Sequence, residues 1–310
     1  MRVFVAGATG AIGRPLIKGL KLAGHEAFGM VRSQDSGTSL GDAGAEPIIG
    51  DALDAASVSA AVTKVRPDVI INELTSLPKH YTPTDMEAAA ERDARVRLEG
   101  NKNLLAAALQ TGVRRFLVQS TGFWYAPGDG LADEHESFAM DASPGIAAGS
   151  RRYAELEAMI LGRSEFAGVA LRYGFFYGPG TWFTTDGDVG EQVRQQQVPV
   201  IGEGRGVSNW VHIDDAAGAT VKALDCAPGA FNIVDDNPSE QRVWLPAFAR
   251  YCGAPKPPTV PEEQALQAAG PDAVYYATRL RGASNAKAKR DLGFRPRPLE
   301  WLGPAQAAAD

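Results

Sequence analysis

The chain has 310 residues, of which 45% are hydrophobic and 22% are charged, a composition typical of a globular protein with an apolar core. Its formal net charge of −6 argues against a nucleic-acid-binding protein, which normally carries a basic face. No apolar run approaches the ~18 residues that span a membrane. Two cysteines outside any C-x-x-C pair and four histidines without metal-ligand spacing favour a cytoplasmic protein without a metal site.

Apolar runs alternate with helical patterns through the first half of the chain. Runs typical of buried strands occupy 3–6, 26–33, 45–51, 67–74, 114–121 and the stretch from 168. Helical spacing of apolar residues is found over 14–24, 55–65, 97–111 and 153–162. This alternation predicts a Rossmann-type α/β fold, in which helices cover both faces of a doubly wound parallel sheet.

Beyond residue 176 the alternation weakens, and prolines and glycines accumulate. We therefore expect residues 1–175 to form the main domain, with 208–235 returning to it, and 176–310 to form mainly a small substrate-binding lobe. Such a lobe would cover the carboxyl ends of the strands, where open α/β sheets bind ligands. The aromatic residues between Trp182 and Trp210 favour a small, ring-bearing or largely apolar substrate.

A glycine-rich loop directly follows the first strand and opens the first helix. Gly7 permits a tight turn, Gly10 lets the backbone approach a pyrophosphate, and Gly13 lets the helix pack close to the strand. The free N–H groups at the start of the helix then face the phosphates. This strand–loop–helix context predicts a dinucleotide-binding site.

The end of the second strand bears on the choice between NADP and NAD. NAD-binding sites usually carry an acidic residue there, but this chain has Arg32 and Ser33. Arg32 can pair with a 2′-phosphate and Ser33 can donate a hydrogen bond to it, which favours NADP. The alternative is an arginine that packs over the adenine of either cofactor. Asp51 is placed to bond the adenine amino group, or to cap the following helix.

At this point the chain resembles the extended short-chain dehydrogenases/reductases, of the NAD-dependent epimerase/dehydratase type. The resemblance is carried by "VFVAGATGAIG", "EGNKNLLAAALQTGVRRFLVQST", "LRYGFFYGPGT", "NWVHIDDAA" and "SNAKAKRDLGFRPR". It implies a cofactor site made of Gly7, Thr9, Gly10, Ala11, Ile12, Gly13, Arg32, Asp51, Ala52, Leu74, Thr75, Tyr173, Gly174 and Phe175.

The resemblance also implies a hydroxyl at the end of the fifth strand that bonds the reacting oxygen of the substrate. Counting back from Tyr125, which matches the usual aromatic residue, this position is Thr121, with Ser120 beside it. The alternative is a hydroxyl that only satisfies the end of the strand. Tyr125 is a candidate to hold the oxygen or to deliver a proton.

The family's acid–base dyad, a tyrosine and a lysine four residues later, is missing. In the family a glutamate typically follows four residues after that lysine. Anchoring on Glu155 puts Ala147 in the tyrosine place and Arg151 in the lysine place; anchoring on the only tyrosine puts Glu157 four residues after Tyr153. We favour the first alignment, in which Arg151 keeps a cation for the nicotinamide ribose and Tyr153 only packs.

These observations predict an NAD(P)-dependent oxidoreductase that acts on a carbonyl or alcohol. The lost dyad leaves two alternatives open: a non-redox isomerase, dehydratase or cyclase on the same scaffold, and a cofactor-sensing binding protein. Members of the resembled family often form homodimers, and the charged stretch "EAAAERDARVRLEGN" leaves that state open here.

Overall fold

The computed structural model describes residues 1–302, apart from the side chains of Gln34 and Ser39. The strands are β1 Arg2–Ala6, β2 Glu26–Val31, β3 Glu46–Ile49, β4 Val69–Asn72, β5 Arg115–Thr121, β6 Ala167–Tyr173, β7 Phe175–Tyr177, β8 Val200–Ile201, β9 Val207–Ser208, β10 Trp210–His212, β11 Gly229–Ile233, β12 Ser239–Glu240 and β13 Thr259–Val260. The helices are α1 Gly13–Leu22, α2 Gln34–Ala43, α3 Ala55–Val65, α4 Pro83–Thr111, α5 Pro144–Ile160, α6 Asp188–Arg194, α7 Ile213–Lys222, α8 Gln241–Tyr251, α9 Glu262–Thr278 and α10 Ala286–Leu292.

Seven strands form one parallel sheet in the order β11-β6-β5-β4-β1-β2-β3. The chain starts at the centre, winds to one edge through β2 and β3, and returns through β4 to wind to the other edge. The fold prediction is confirmed. Because all the strands run the same way, the residues that follow β1, β4, β5 and β6 meet at one edge.

Each face of the sheet carries its own apolar core. One core includes Val3, Leu16 and Leu171, and the other includes Phe4, Leu104 and Phe116. The alternation of Val3 and Phe4 follows from the two-residue period of a strand, which sends successive side chains to opposite faces. β11 joins the edge of this sheet and α7 packs on α1, so the chain returns to the sheet after residue 208.

The helices differ in extent from those predicted. α4 begins at residue 83 rather than 97, where Thr82 accepts a hydrogen bond from the Asp85 amide and a proline takes the first turn. Its first turns carry few buried apolar residues, so they give little hydrophobic periodicity. α5 begins at residue 144 rather than 153. α2, α6, α8, α9 and α10 were not predicted at all.

The remaining residues form a smaller lobe around a cluster of aromatic side chains. This cluster includes Tyr177, Phe183, Trp210, Phe248 and Trp301. β7 pairs with β10, β9 with β12 and β8 with β13, so up to residue 302 the lobe contains only two-stranded sheets. Across residues 1–302, no helix is both long enough and apolar enough to cross a membrane.

Candidate cofactor and substrate site

The glycine loop has the geometry that close contact with a phosphate requires. Gly7 has a φ of +89°, and a Cβ on it would lie 2.5 Å from the carbonyl oxygen of Glu73. A Cβ on Gly13 would overlap the backbone of residues 7 and 8. Within residues 1–302, the amides of Ala11 and Ile12 have no protein acceptor. These N–H groups at the start of α1 are therefore available to an anion.

A cavity of about 430 Å³ opens over this loop. Thr9, Gly10 and Arg14 line one side of it, and Pro179 and Gly180 line the other. The exposed guanidinium of Arg14 adds a positive charge to the amides of the loop. The free amides, the positive charge and the absence of side chains at the glycines fit the pyrophosphate of a dinucleotide.

The residues predicted to contact the adenosine lie at the ends of β2 and β3. Arg32 is exposed, and Ser33 caps α2 by accepting a hydrogen bond from the Ser36 amide. Asp51 is exposed and accepts a hydrogen bond from the Leu53 amide at 3.0 Å, whereas α3 is capped by Asp54. The capping alternative for Asp51 is therefore wrong, and its carboxylate stays accessible.

Ala52 and Leu74 border this region from two neighbouring loops. Ala52 is buried, and a Cβ on Gly100 of α4 would lie 3.4 Å from its Cβ and 2.9 Å from Leu74 Cδ1. The Leu74 amide donates to Asn72 Oδ1 at 3.1 Å, and Thr75 is exposed. Helix α4 therefore runs across the loop that follows β4.

A buried acid, Glu73, lies under the glycine loop. Its Oε1 accepts a hydrogen bond from the Tyr173 hydroxyl at 3.0 Å, and Tyr173 also shares a hydrogen bond of 2.6 Å with Thr220 Oγ1. Burial raises the pKa of Glu73 from its ordinary value of 4.5 to about 8. Glu73 is therefore protonated at neutral pH. Its hydrogen bond and that of Thr220 hold Tyr173 in the core beneath the glycine loop.

Ser120 and Tyr125 belong to a buried polar network. Ser120 Oγ donates to Glu157 Oε1 at 2.5 Å, and Arg172 binds both oxygens of Glu157 at 2.8 and 2.7 Å. Tyr125 accepts from Arg172 at 2.9 Å and donates to Asn232 at 2.5 Å. Burial raises the pKa of Tyr125 to about 12. The structure therefore contradicts the expectation that Tyr125 contacts the substrate: its hydroxyl is fully used inside the protein, as is that of Ser120.

Thr121 is in a different position, although it follows Ser120 directly. It lies opposite Tyr173 in the β5–β6 register, and successive residues of a strand point to opposite faces. Its Oγ1 is buried and, within the described residues, has no hydrogen-bond partner. Because an unpaired buried hydroxyl is costly, Thr121 remains the best candidate on β5 to bind a ligand.

The structure overturns the alignment that placed Arg151 in the lysine position. Arg151 is exposed and donates to the Met140 carbonyl at 2.9 Å, and Glu155 is half exposed. Glu157 is the buried glutamate of α5, through its pair with Arg172. Counting back from Glu157 in steps of four puts Tyr153 in the lysine place and Gly149 in the tyrosine place.

An indole ring covers the helix where that tyrosine would stand. A Cβ on Gly149 would overlap the ring of Trp124. Trp124 Nε1 donates to the Tyr276 hydroxyl at 3.1 Å, which ties the loop after β5 to α9. Next to Trp124, Phe123 stacks on Phe175 at a centroid distance of 4.1 Å. Aromatic rings therefore form the wall beside the end of β5.

The sequence analysis missed the role of Gly149, on the buried face of α5, and that of Trp124, although the sequence carries signals for both. Ile146, Tyr153, Leu156 and Ile160 form an apolar stripe at helical spacing, and Arg151 lies off that stripe. Because the stripe is a property of the sequence alone, it identifies the buried face of α5. Trp124 carries a weaker signal, because its contact with Gly149 depends on the path of the loop.

Comparisons with known proteins agree with this arrangement. A profile of the NAD dependent epimerase/dehydratase family matches residues 3–233. The 3-diazoavenalumate denitrifying reductase of a Streptomyces species is 39% identical over 304 residues, which is 97% of this chain and 98% of that protein. The 2-alkyl-3-oxoalkanoate reductase of Stenotrophomonas maltophilia (strain K279a) is 25% identical over 83% of this chain and 77% of that protein.

Among solved structures, the UDP-glucose 4-epimerase of Thermus thermophilus in complex with NAD has a TM-score of 0.73 with this chain. It is 24% identical, and the match covers 98% of this chain and 96% of that one. This likeness concerns the fold.

Proposed function

Because the chain belongs to the NAD-dependent epimerase/dehydratase family, we propose that it is an NAD(P)H-dependent reductase of a diazo-bearing aromatic compound. The observation that carries the proposal is the place of the missing tyrosine. In the alignment anchored on Glu157 this place falls on Gly149, which lies under the ring of Trp124. This alignment supports a site without the group that the family uses to add or remove a proton.

Reductive loss of dinitrogen is a reaction that needs no such group. An aryl diazonium ion and NAD(P)H give the arene, dinitrogen and NAD(P)⁺, so that atoms and charges balance without an added proton. The relative that is 39% identical carries a name that describes reductive removal of nitrogen from a diazo compound. Loss of the dyad and this chemistry are therefore consistent with each other.

The chain's own residues support an aromatic, cationic substrate. The rings of Phe123, Trp124, Phe175 and Tyr276 lie in contact with one another beside the end of β5. Aromatic faces attract a cation that is removed from water, and their apolar surface excludes water that would hydrolyse a diazonium group. Thr121 supplies a hydroxyl at the same edge. The bound nicotinamide nucleotide supplies the hydride.

The residue at the end of β2 supports NADPH rather than NADH as the cofactor. Arg32 is exposed at the end of this strand, and the first acidic residue after it is Asp35, within the first turn of α2. A guanidinium at this position favours a 2′-phosphate. NADPH is therefore proposed as the preferred reductant, with a lower KM than NADH.

The test is a reaction of the purified protein with 4-carboxybenzenediazonium and NADPH or NADH. Benzoate, dinitrogen and oxidised cofactor are expected in equal amounts, faster than in mixtures without protein and with NADPH preferred. Water converts the same diazonium ion into 4-hydroxybenzoate, so the two products separate enzymatic reduction from spontaneous decay. A benzoate yield equal to that of the protein-free mixture would contradict the proposal.

A second candidate is a carbonyl reductase, favoured by the unpaired hydroxyl of Thr121. A panel of aryl ketones with 4-deuterated NADPH distinguishes it. Deuterium at the carbinol carbon, without conversion of the diazonium ion, would establish this candidate instead. Isomerised or dehydrated product without deuterium would indicate a non-redox enzyme.

A further inference from the structure

Tyr153 and Arg97 form a buried pair that the proposed reaction does not explain. Tyr153 lies on the inner face of α5, one turn after Gly149, and its ring is 7% exposed. The guanidinium carbon of Arg97 lies 5.3 Å from the centroid of this ring. Within residues 1–302, the Tyr153 hydroxyl has no hydrogen-bond partner, and of the Arg97 nitrogens only Nε has one.

Arg97 is held in place by the helix that carries it. Asp93, one turn earlier on α4, accepts from Arg97 Nε at 2.7 Å, and both residues are buried. The other oxygen of Asp93 accepts from the Ser76 amide at 2.7 Å. The cation is therefore fixed, and it is tied to the loop that follows β4.

This loop places the pair on the cofactor side of the site. α4 contacts this loop, or the end of β4, at three places along its length. Asn101 accepts a hydrogen bond from Asn72, and Gly100 lies against Leu74. Nearer the start of α4, Asp93 accepts a hydrogen bond from the Ser76 amide. The carbonyl group of Glu73, in the same loop, closes the underside of Gly7. Arg97 thus lies between the loop that follows β4 and α5.

The chemistry of the pair suits a ribose. Burial raises the pKa of Tyr153, against the opposing effect of Arg97, so the hydroxyl is protonated at neutral pH and can donate. The terminal nitrogens of Arg97 offer four more N–H groups and a charge that stays on at any working pH. Vicinal hydroxyls, which both accept and donate, are matched by such a set of donors.

We propose that Tyr153 and Arg97 together hold the ribose on the nicotinamide side of the dinucleotide, in place of a lysine. This inference rests on the proposed use of NAD(P)H. Both side chains then contact the cofactor directly: Tyr153 contributes the hydroxyl at the lysine place, and Arg97 contributes the cation from the neighbouring helix.

The test compares ligands that contain or lack this ribose, and it needs no turnover. ADP ends at the pyrophosphate, whereas ADP-ribose adds the second ribose. Calorimetric titration of the wild type should show tighter binding of ADP-ribose than of ADP. Tyr153→Phe, which keeps the packing ring, should weaken ADP-ribose by about fivefold to tenfold, the value of one hydrogen bond, and leave ADP unchanged. Arg97→Lys should show the same selective loss.

Tyr275→Phe is the matched control. Tyr275 is a buried tyrosine on α9 whose hydroxyl is also unpaired within the described residues, and its substitution should change neither affinity. Equal loss of ADP and ADP-ribose in Tyr153→Phe, or no loss of either, would overturn the inference, as would a wild type that gains nothing from the second ribose. A wild type that binds neither ADP nor NAD(P)H would overturn the proposed function as well.

Discussion

Gly149 shows how the lack of a side chain can define a site. In the alignment anchored on Glu157, it stands where the family carries its tyrosine, and the indole of Trp124 fills the space above it. The indole N–H is used by Tyr276 at 3.1 Å. The position is therefore not merely emptied: it is covered by an indole ring, which is neither an acid nor a base near neutral pH.

Gly149→Ala should destabilise the protein, because the added methyl group overlaps Trp124 and must displace it. Overpacking of this kind costs about 1–3 kcal/mol. The hydrogen bond from Trp124 to Tyr276 is also lost when the indole moves. Thermal unfolding and tryptophan fluorescence measure the two effects. The matched control is Gly218→Ala in α7, where a Cβ meets nothing within 4 Å. If both substitutions left the unfolding temperature unchanged, Trp124 would not be packed on α5.

At the level of single residues, the sequence allowed the glycine loop to be predicted but not the partner of each polar side chain. Gly7, Gly10 and Gly13 are recognisable because their spacing and their place after a strand are local properties. The helical stripe of Ile146, Tyr153 and Ile160 is a property of the sequence, and it places Glu157 rather than Glu155 on the buried face of α5. The partner of Glu157, Arg172 of β6, is distant along the chain and could not be predicted.

Helix α4 is the element that links the two sides of the site. Over its 29 residues it contacts the loop after β4 and carries Arg97 toward α5. Its inner face includes polar residues, Asp93, Arg97 and Asn101, so hydrophobic periodicity detects only its second half. The strand–helix alternation was therefore predictable, whereas the start of α4 was not.

Glu73, in the segment between β4 and α4, should make the stability of the folded protein depend on pH. Its pKa is about 8 in the folded protein and near 4.5 when unfolded, so the folded state binds more protons between these values. Stability from this group is complete below about pH 4.5 and is lost as the pH rises through about 8.

Urea unfolding of the wild type and Glu73→Gln between pH 5 and 9 measures this contribution. The amide keeps an acceptor for Tyr173 but cannot ionise, so the variant should gain stability relative to the wild type as the pH rises. Parallel pH profiles of the two proteins would contradict this assignment.

At the scale of the whole molecule, the last described residues join the lobe to the sheet. Arg297 pairs with Asp215 of α7 at 2.9 Å. Leu299, Trp301 and Leu302 then enter the aromatic cluster of the lobe. One short segment therefore contacts both a helix packed on the main sheet and the core of the smaller lobe.

Trp301→Ala should remove the centre of this contact. Its ring lies 4.9 Å from Phe248 and 5.0 Å from both Tyr177 and Trp210, measured between centroids. Truncation of a buried tryptophan costs about 3–5 kcal/mol. Urea unfolding checks this, with Leu266→Ala at a half-exposed position expected to change stability by less than ~0.5 kcal/mol. Similar losses in both variants would show that Trp301 is not a core residue.

The order of the chain has a consequence for synthesis. The glycine loop, β1 to β6 and α4 lie within residues 1–173, α7 and β11 follow by residue 233, and Tyr276 and Trp301 come later still. Domains fold from the N-terminus as the chain emerges, so the sheet with its nucleotide side can form on the ribosome before the aromatic wall is complete. A nascent chain would therefore acquire cofactor affinity before it could select a substrate, and nucleotide bound early could guide the later segments into place.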